Sequence, residues 1–259
     1  MAYEYVQYEK KGRIAYVTMN LPEVMNSIHP PATAELSQVW DDFIRDDEVW
    51  IAILTGAGDK AFSAGNDLKY TAQKGLSSGP RPRGGFGGLT DHTDIWKPLI
   101  AAVNGYALGG GFELALACDI IIAAEHARFG LPEPRVGLMA GAGGVHRLSR
   151  QIPLKAAMGY ILTGKHMTAQ EAYRLGIVNE VVPLKDLMST AEKWANEILE
   201  CAPLSVRASK QAAMIGLDLP LETALARSYP IAQQMFHSED VIEGPKAFAE
   251  KRKPQWKGR

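Results

Sequence analysis

Two glutamates stand where a carboxylate needs a reason to be. Glu113 follows the triple glycine Gly109-Gly110-Gly111 and is surrounded by Phe112, Leu114, Ala115, Leu116 and Ala117. A carboxylate among apolar neighbours is costly unless it is paired or used. The first turn of a helix also favours a negative side chain through the dipole, so a helix cap is its plainer reading. Glu133 sits in Phe129-Gly130-Leu131-Pro132-Glu133-Pro134. Flanking prolines fix the backbone and exclude a continuous helix, which would aim a carboxylate, although a surface turn accounts for the same pattern. Together the two offer general acid–base chemistry, and if close they resist simultaneous ionisation and titrate as a pair.

Acid–base chemistry that passes through an oxyanion also needs backbone N–H donors aimed at the developing charge. Gly109-Gly110-Gly111 permits close backbone approach and opens onto a helix whose first N–H groups have no internal partner. By itself it is also a tight strand-to-helix packing turn. A second small-residue turn, Phe62-Ser63-Ala64-Gly65-Asn66-Asp67-Leu68, is expected to present the Ala64 N–H. Gly56-Ala57-Gly58 resembles the start of a dinucleotide fingerprint, but its third small residue would be Ala61, where no helix pattern begins. No Walker loop or His-Glu-x-x-His helix is present. His92, His126, His146 and His166 show no ligand or triad context, and Cys118 and Cys201 lie far apart, so neither a metal site nor a disulfide framework is expected.

The elements that must position these groups read as α/β followed by α. Tyr3 to Tyr8 and Ile14 to Met19 form an edge hairpin turned by Lys10-Lys11-Gly12-Arg13; a helix begins near Pro31 and carries Leu36, Val39, Trp40 and Phe43. Val49 to Leu54, Leu99 to Val103 and Ile120 to Ala124 are buried strands, and Phe112 to Ala117 is helical. This order suggests repeated ββα units. Thr168 and Glu171 make a capping box, Gly176 ends that helix, and Ile177 to Val182 returns to strand. Beyond Pro183 the pattern is almost all helical. Lys74 to Gly88, rich in Gly, Pro and Ser and carrying Arg81 and Arg83, is a surface segment that reads either as a lid or as an untethered loop.

With 259 residues, 46% hydrophobic and 22% charged, the chain can bury one large core. A net charge of -1 without a basic block gives no reason to expect nucleic acid or a membrane surface as partner. The Met-Ala-Tyr-Glu-Tyr start has no secretory pattern and no long apolar run follows, so a cytoplasmic location is expected.

Several segments together resemble the crotonase (enoyl-CoA hydratase/isomerase) superfamily: Ala61 to Leu68, Lys97 to Gly105, Gly109 to Asp119, Phe129 to Glu133, Gly141-Ala142-Gly143-Gly144 and Glu243 to Arg252. The resemblance spans almost the whole chain. It implies a crotonase-like spiral of ββα repeats over residues 1–200 holding a CoA-thioester active site. It also implies a C-terminal α-helical trimerisation region over 201–259 that completes the pocket, in a homotrimer or homohexamer. The implied activity is that of a hydro-lyase adding water to, or removing it from, an α,β-unsaturated acyl-CoA, with no cofactor beyond the CoA of the substrate. Within the superfamily, motif spacing and the terminal Trp256-Lys257-Gly258-Arg259 are most similar to the carnitinyl-CoA dehydratase branch.

By the same resemblance Glu113 and Glu133 are the acid and base, Ala64 and Gly110 the oxyanion-hole donors, and Gly141 the backbone that helps hold water. The CoA grip would fall on the Met25 backbone, on Ala64, Gly65, Asn66, Asp67 and Leu68, and on Phe248 with Lys251, the lysine facing nucleotide phosphates from a neighbouring subunit. Asn66 stands where alanine is more usual, Ala140 replaces a common proline, and Ile28-His29-Pro30-Pro31 is an uncommon lead into the first helix. The Asn66 side chain would add polar hydrogen-bonding groups near the thioester entrance. Sister reactions, such as double-bond isomerisation or thioester hydrolysis, share the hole, but retention of both glutamates argues against most of them. A non-catalytic CoA- or RNA-binding scaffold is the alternative from another class.

Overall fold

The computed structural model describes residues 3–75 and 83–259. The chain folds as two compact units, Met1–Thr93 with Leu99–Glu192, and Asp94–Pro98 with Lys193–Arg259.

The first unit opens with β1 (Val6–Lys11) and β2 (Ile14–Met19), antiparallel in register Val6↔Met19 to Lys11↔Ile14. Lys10 and Lys11 are therefore paired strand residues, and the turn is only Gly12-Arg13, with Gly12 at φ +59 supplying the left-handed residue a two-residue hairpin needs. The strand starts later than expected because the Glu35 carboxylate takes the N–H groups of Glu4 and Tyr5 at 2.9 and 2.8 Å. Glu35 lies on α1 (Pro30–Arg45), whose N-terminus is capped by His29 Nδ1 accepting from Ala32 N–H at 3.1 Å. That cap accounts for the lead His29-Pro30-Pro31: the imidazole satisfies one orphan donor, and the prolines cost none. Leu36, Val39, Trp40 and Phe43 form the buried face of α1.

Strand pairs then alternate with helices: β3 (Ile51–Gly56), β4 (Ala61–Ser63) and α2 (Leu68–Lys74); β5 (Leu99–Val103), β6 (Tyr106–Leu108) and α3 (Gly110–Ala117); β7 (Ile120–Ala124) and β8 (Arg128–Gly130). The first strand of each pair joins a six-stranded sheet, and the second joins a four-stranded one. A 3-10 turn (Glu133–Val136) leads to α4 (Gly144–Gln151), α5 (Leu154–Thr163), β9 (Met167–Thr168), α6 (Ala169–Arg174) and β10 (Glu180–Val182). The sheet orders are β1-β2-β3-β5-β7-β10 and β4-β6-β8-β9, parallel except at β1·β2 and β8·β9. This is the expected spiral of ββα repeats. Ile51 to Leu54 and Leu99 to Val103 are buried on both faces, which is why those strands read as continuous apolar runs without alternation.

Corners between the sheets are pinned by two buried asparagines. Asn104 receives Gly56 N–H on Oδ1 and donates from Nδ2 to the carbonyls of Gly56, Gly58 and Ala61; Asn26 receives Leu21 N–H and donates to Ala57 and Ala61 carbonyls. Buried amides with every group engaged fix loop geometry at little net cost.

The Thr168/Glu171 capping box forms in both directions and Gly176, at φ +83, follows the end of α6. Ile177 and Val178 hang their N–H groups on the Ala172 carbonyl, so the expected strand begins only at Glu180. Part of the Lys74 to Gly88 segment, residues 76–82, lies outside the described residues. Its far end is tied to α1: Trp40 Nε1 donates to Gly87 O at 3.1 Å and Ser37 Oγ to Arg83 O at 3.3 Å.

The division between units falls inside α7 (Leu187–Leu199). The second unit contains α8 (Pro203–Gly216), α9 (Leu221–Ala226), α10 (Pro230–Phe236) and α11 (Asp240–Ala249). Lys210 Nζ donates to Lys97 O, and Gln211 Oε1 accepts from Ile231 N–H at the start of α10. The C-terminal residues fold back on α11: Asp240 accepts from Lys257 and Gly258 N–H, Arg252 grips Glu243 with two bonds, and Trp256 Nε1 donates to Glu200 O. Among the described residues no helix is long and apolar enough to cross a membrane.

Candidate active site

Both glutamates lie in the first unit, at the N-terminus of α3. Strand β6 runs into Gly109, at φ +53, whose N–H continues the pairing to Gly130 O at 2.9 Å. Glu113 occupies the first turn of α3, is 3% exposed, and receives Gly144 N–H on Oε1 at 2.8 Å, with the Ala142 N–H also facing it. Glu133 approaches the same turn from the Pro132-Glu133-Pro134 brace: a Cβ on Gly109 would stand 2.9 Å from its Oε1. Glu133 Oε2 is buried and has no hydrogen-bond partner among the described residues. The helix-cap and surface-turn readings therefore do not describe these two side chains.

Burial pushes Glu113 up to about 7, and the facing Glu133 adds to that shift; the Gly144 and Ala142 N–H groups and the more distant Arg147 oppose it. Burial raises Glu133 as well. The Glu133 charge thus favours the protonated form of Glu113.

The expected donor pair needs one correction. Ala64 N–H is already spent on the Met25 carbonyl at 2.9 Å, and Gly65 N–H on Ser63 Oγ at 3.1 Å. The next residue is different. Ile28 bridges this loop by donating to Gly65 O at 2.8 Å and accepting from Asp67 N–H at 3.1 Å, which leaves the Asn66 N–H on the opposite side without a partner among the described residues. Gly110 N–H, at the head of α3, also has none there. Gly65, at φ +87, brings the two loops together: a Cβ there would lie 2.6 Å from Leu108 O and 2.8 Å from Gly110 N. The donors available as a pair are thus Asn66 and Gly110. The Phe86 ring covers one side of Gly110, so closely that a Cβ on that glycine would collide with it.

Gly141 is not a free donor either, since its N–H closes a tight turn on Met139 O at 2.7 Å. In that glycine run the groups directed at a carboxylate are Gly144 and Ala142. Met25, left-handed at φ 56, donates to Pro22 O and lies beside the 64–68 loop through its bond to Ala64. The Asn66 side chain is engaged locally, Nδ2 donating to Thr71 Oγ1 at 2.9 Å; Asp67 caps α2 through Tyr70 N–H, and Leu68 is exposed. Phe248, 87% exposed on α11, and Lys251, at φ 53 just beyond it, belong to the second unit.

Two participants are not legible in the sequence. Asn66 reads there as a polar side chain near the site, whereas its backbone is what stands free. Arg147 reaches back from α4 to Thr90 O at 2.7 Å and Ala142 O at 3.5 Å, and only its spacing from the Gly143-Gly144 pair could have drawn attention to it.

The chain matches the Enoyl-CoA hydratase/isomerase family over residues 9–259. It is 43% identical over 253 residues, covering 98% of this chain and 99% of the relative, to an (E)-benzylidenesuccinyl-CoA hydratase of Thauera aromatica. To a carnitinyl-CoA dehydratase of Citrobacter koseri it is 43% identical over 263 residues, covering 99% of both chains. Among solved structures, an enoyl-CoA hydratase from Mycobacterium marinum superimposes with a TM-score of 0.92 at 40% identity over 98% of this chain and 99% of that one. A second, from Mycobacterium tuberculosis, gives 0.92 at 38% identity over 98% and 99%. Fold, glycine turn and full-length similarity agree: this chain has the crotonase fold and belongs to the enoyl-CoA hydratase/isomerase family.

Proposed function

We propose that the protein is an enoyl-CoA hydratase/dehydratase, adding water across the double bond of an α,β-unsaturated acyl-CoA or removing it from the β-hydroxyacyl-CoA. The observation that carries this reading is the convergence of Glu113 and Glu133 on one glycine turn beside two backbone donors, Asn66 and Gly110, that have no partner among the described residues. Hydration requires that set. The ionised carboxylate takes a proton from water as the oxygen attacks the β-carbon; electron density moves onto the thioester oxygen; the protonated carboxyl then delivers its proton to the α-carbon. The Asn66 and Gly110 N–H groups hold the enolate oxygen while it is charged, each worth about 3 kcal/mol in such a hole. Dehydration runs the same steps backward with the two roles exchanged.

The reaction written this way draws on no cofactor besides the CoA of its own substrate. For the CoA portion the proposed contacts are the Met25 backbone, the loop from Ala64 to Leu68, and Phe248 with Lys251 of a neighbouring copy. A homotrimer or homohexamer is the assembly we assign. It is supported by the large apolar side chains left exposed on the helical unit, Leu217, Leu221, Leu225, Phe236, Ile242 and Phe248. The relatives act, by their names, on different acyl groups at equal identity. Crotonobetainyl-CoA/carnitinyl-CoA is the pair favoured by the terminal Trp256-Lys257-Gly258-Arg259.

The test is incubation with crotonyl-CoA, crotonobetainyl-CoA and (E)-benzylidenesuccinyl-CoA in isotopically labelled water. Label at the β-hydroxyl and α-carbon of the product supports hydration and ranks the acyl groups. Unlabelled recovery of all three at high enzyme concentration would refute the reading, and a product with a shifted double bond would replace it with isomerisation.

A further inference from the structure

The Arg147 guanidinium connects two turns that border the site from different directions. Nη2 donates to Thr90 O at 2.7 Å, and Nη1 reaches Ala142 O at 3.5 Å. Between them Nη1 occupies the place that a Cβ on Gly143, at φ +101, would take. Thr90 follows the turn that carries Phe86 over Gly110. That turn is itself anchored by Trp40 Nε1 on Gly87 O and by contact of Gly87 with the Leu114 side chain. Ala142 belongs to the glycine run that directs the Gly144 and Ala142 N–H groups at Glu113. Both hydrogen-bond acceptors are neutral carbonyls, so neither cancels the guanidinium charge. The charged and titratable groups facing Arg147 are Glu113 and Cys118 of α3 and its C-cap, and Asp91 beyond Thr90; those facing Glu113 are Glu133 and Arg147.

We propose that Arg147 is a positioning residue of the acid–base pair: its fork holds the Thr90 and Ala142 carbonyls in one geometry, so that the amides of the glycine run stay aimed at Glu113. It also supplies the cation that biases where Glu113 releases its proton. The inference rests on the hydratase reading for its kinetic readout, but not for its titration. Arginine suits the task because a planar fork spans two carbonyls at once, which an ammonium on a flexible stem does less well. Arg147 opposes the upward shift that burial and Glu133 impose on Glu113, so its removal moves that titration to higher pH.

Full-length Arg147→Gln and Arg147→Lys, in their native assembly, test this. With a thioester that the wild type hydrates, Arg147→Gln should lose about 10-fold or more in kcat with KM changed by less than about 3-fold. The limb of its pH–rate profile that reports Glu113 should rise by about half a unit or more, while Arg147→Lys keeps that limb near the wild-type position because the charge remains. Infrared titration of the protonated carboxyl band, assigned by subtraction of Glu113→Gln, reads the same shift without turnover. Unchanged kcat in both variants, or a loss confined to KM, overturns the proposal, as does an unmoved limb and band in Arg147→Gln. If Arg147→Gln does not fold, Arg147→Lys decides, since loss of the fork should lower kcat at an unshifted limb and undiminished kcat refutes the positioning role. A wild type that hydrates no thioester while the Glu113 band still moves in Arg147→Gln would sink the hydratase reading and leave the positioning inference standing.

Discussion

Replacing Glu113 by Gln should make the protein more stable at pH 8 and almost inactive, and the stability gain should depend on pH. In the folded protein Glu113 releases its proton at about 7 instead of 4.5, with burial as the main cause. Between those values the folded state holds a proton that the unfolded chain has released. Unfolding free energy therefore falls as pH rises from 4.5 through about 7, and stays at its lower level above that. The interval corresponds to about 3 kcal/mol for one group. An amide at this position keeps an oxygen for the Gly144 N–H, which donates at 2.8 Å, and carries no charge to desolvate. The difference in unfolding free energy between Glu113→Gln and wild type should thus grow by on the order of 2–3 kcal/mol from pH 5 to pH 8. Urea titrations of both proteins at the two pH values, at one fixed protein concentration, measure it. The growth with pH is the quantity that matters, because a constant offset would report only packing of the amide. A pH-independent difference would refute the claim that Glu113 is a carboxyl held protonated by its surroundings. Hydration by the variant should fall by ~10²–10⁴ in kcat with little change in KM.

The pH–rate profile of the wild type should show a step near 7 from Glu113, whose burial keeps it protonated below that pH; a flat profile between pH 5 and 9 would contradict a perturbed catalytic carboxyl. Gly65→Ala would put a Cβ 2.6 Å from Leu108 O at φ +87, so it should push the Asn66 and Gly110 donors apart, cutting kcat by ~10²–10³ and costing about 1–3 kcal/mol in stability, read by kinetics and thermal melting. Thr168→Ala removes one half of the capping box on α6, and should cost about 1 kcal/mol in denaturant unfolding while kcat and KM stay within error.

Much of the spiral was legible because its signals are local. The apolar runs of β3, β5 and β7, the glycine before α3 and the Thr168/Glu171 box each specify a short piece of backbone by sterics or by a hydrogen bond over three residues. Misplaced boundaries mark points where a distant group competes. Glu35 draws Glu4 and Tyr5 away from the first strand, and the Ala172 carbonyl holds Ile177 and Val178 out of the last one.

At the site the same distinction is sharper. The sequence alone determined which residues bring chemistry: two carboxylates, one among apolar neighbours and one braced by prolines, and small-residue turns able to present N–H groups. Tertiary structure decided how those groups are used. It brought Glu133 against Gly109 across the turn that holds Glu113, and it raised both carboxyls by enclosing them together. It also chose among neighbouring amides of one loop. Ala64 N–H went to Met25, Gly65 N–H to Ser63, and Asn66 N–H was left beside Gly110. The physical reason is that a residue's type fixes the groups it can offer, whereas hydrogen-bond saturation and desolvation are properties of whatever the fold packs around them.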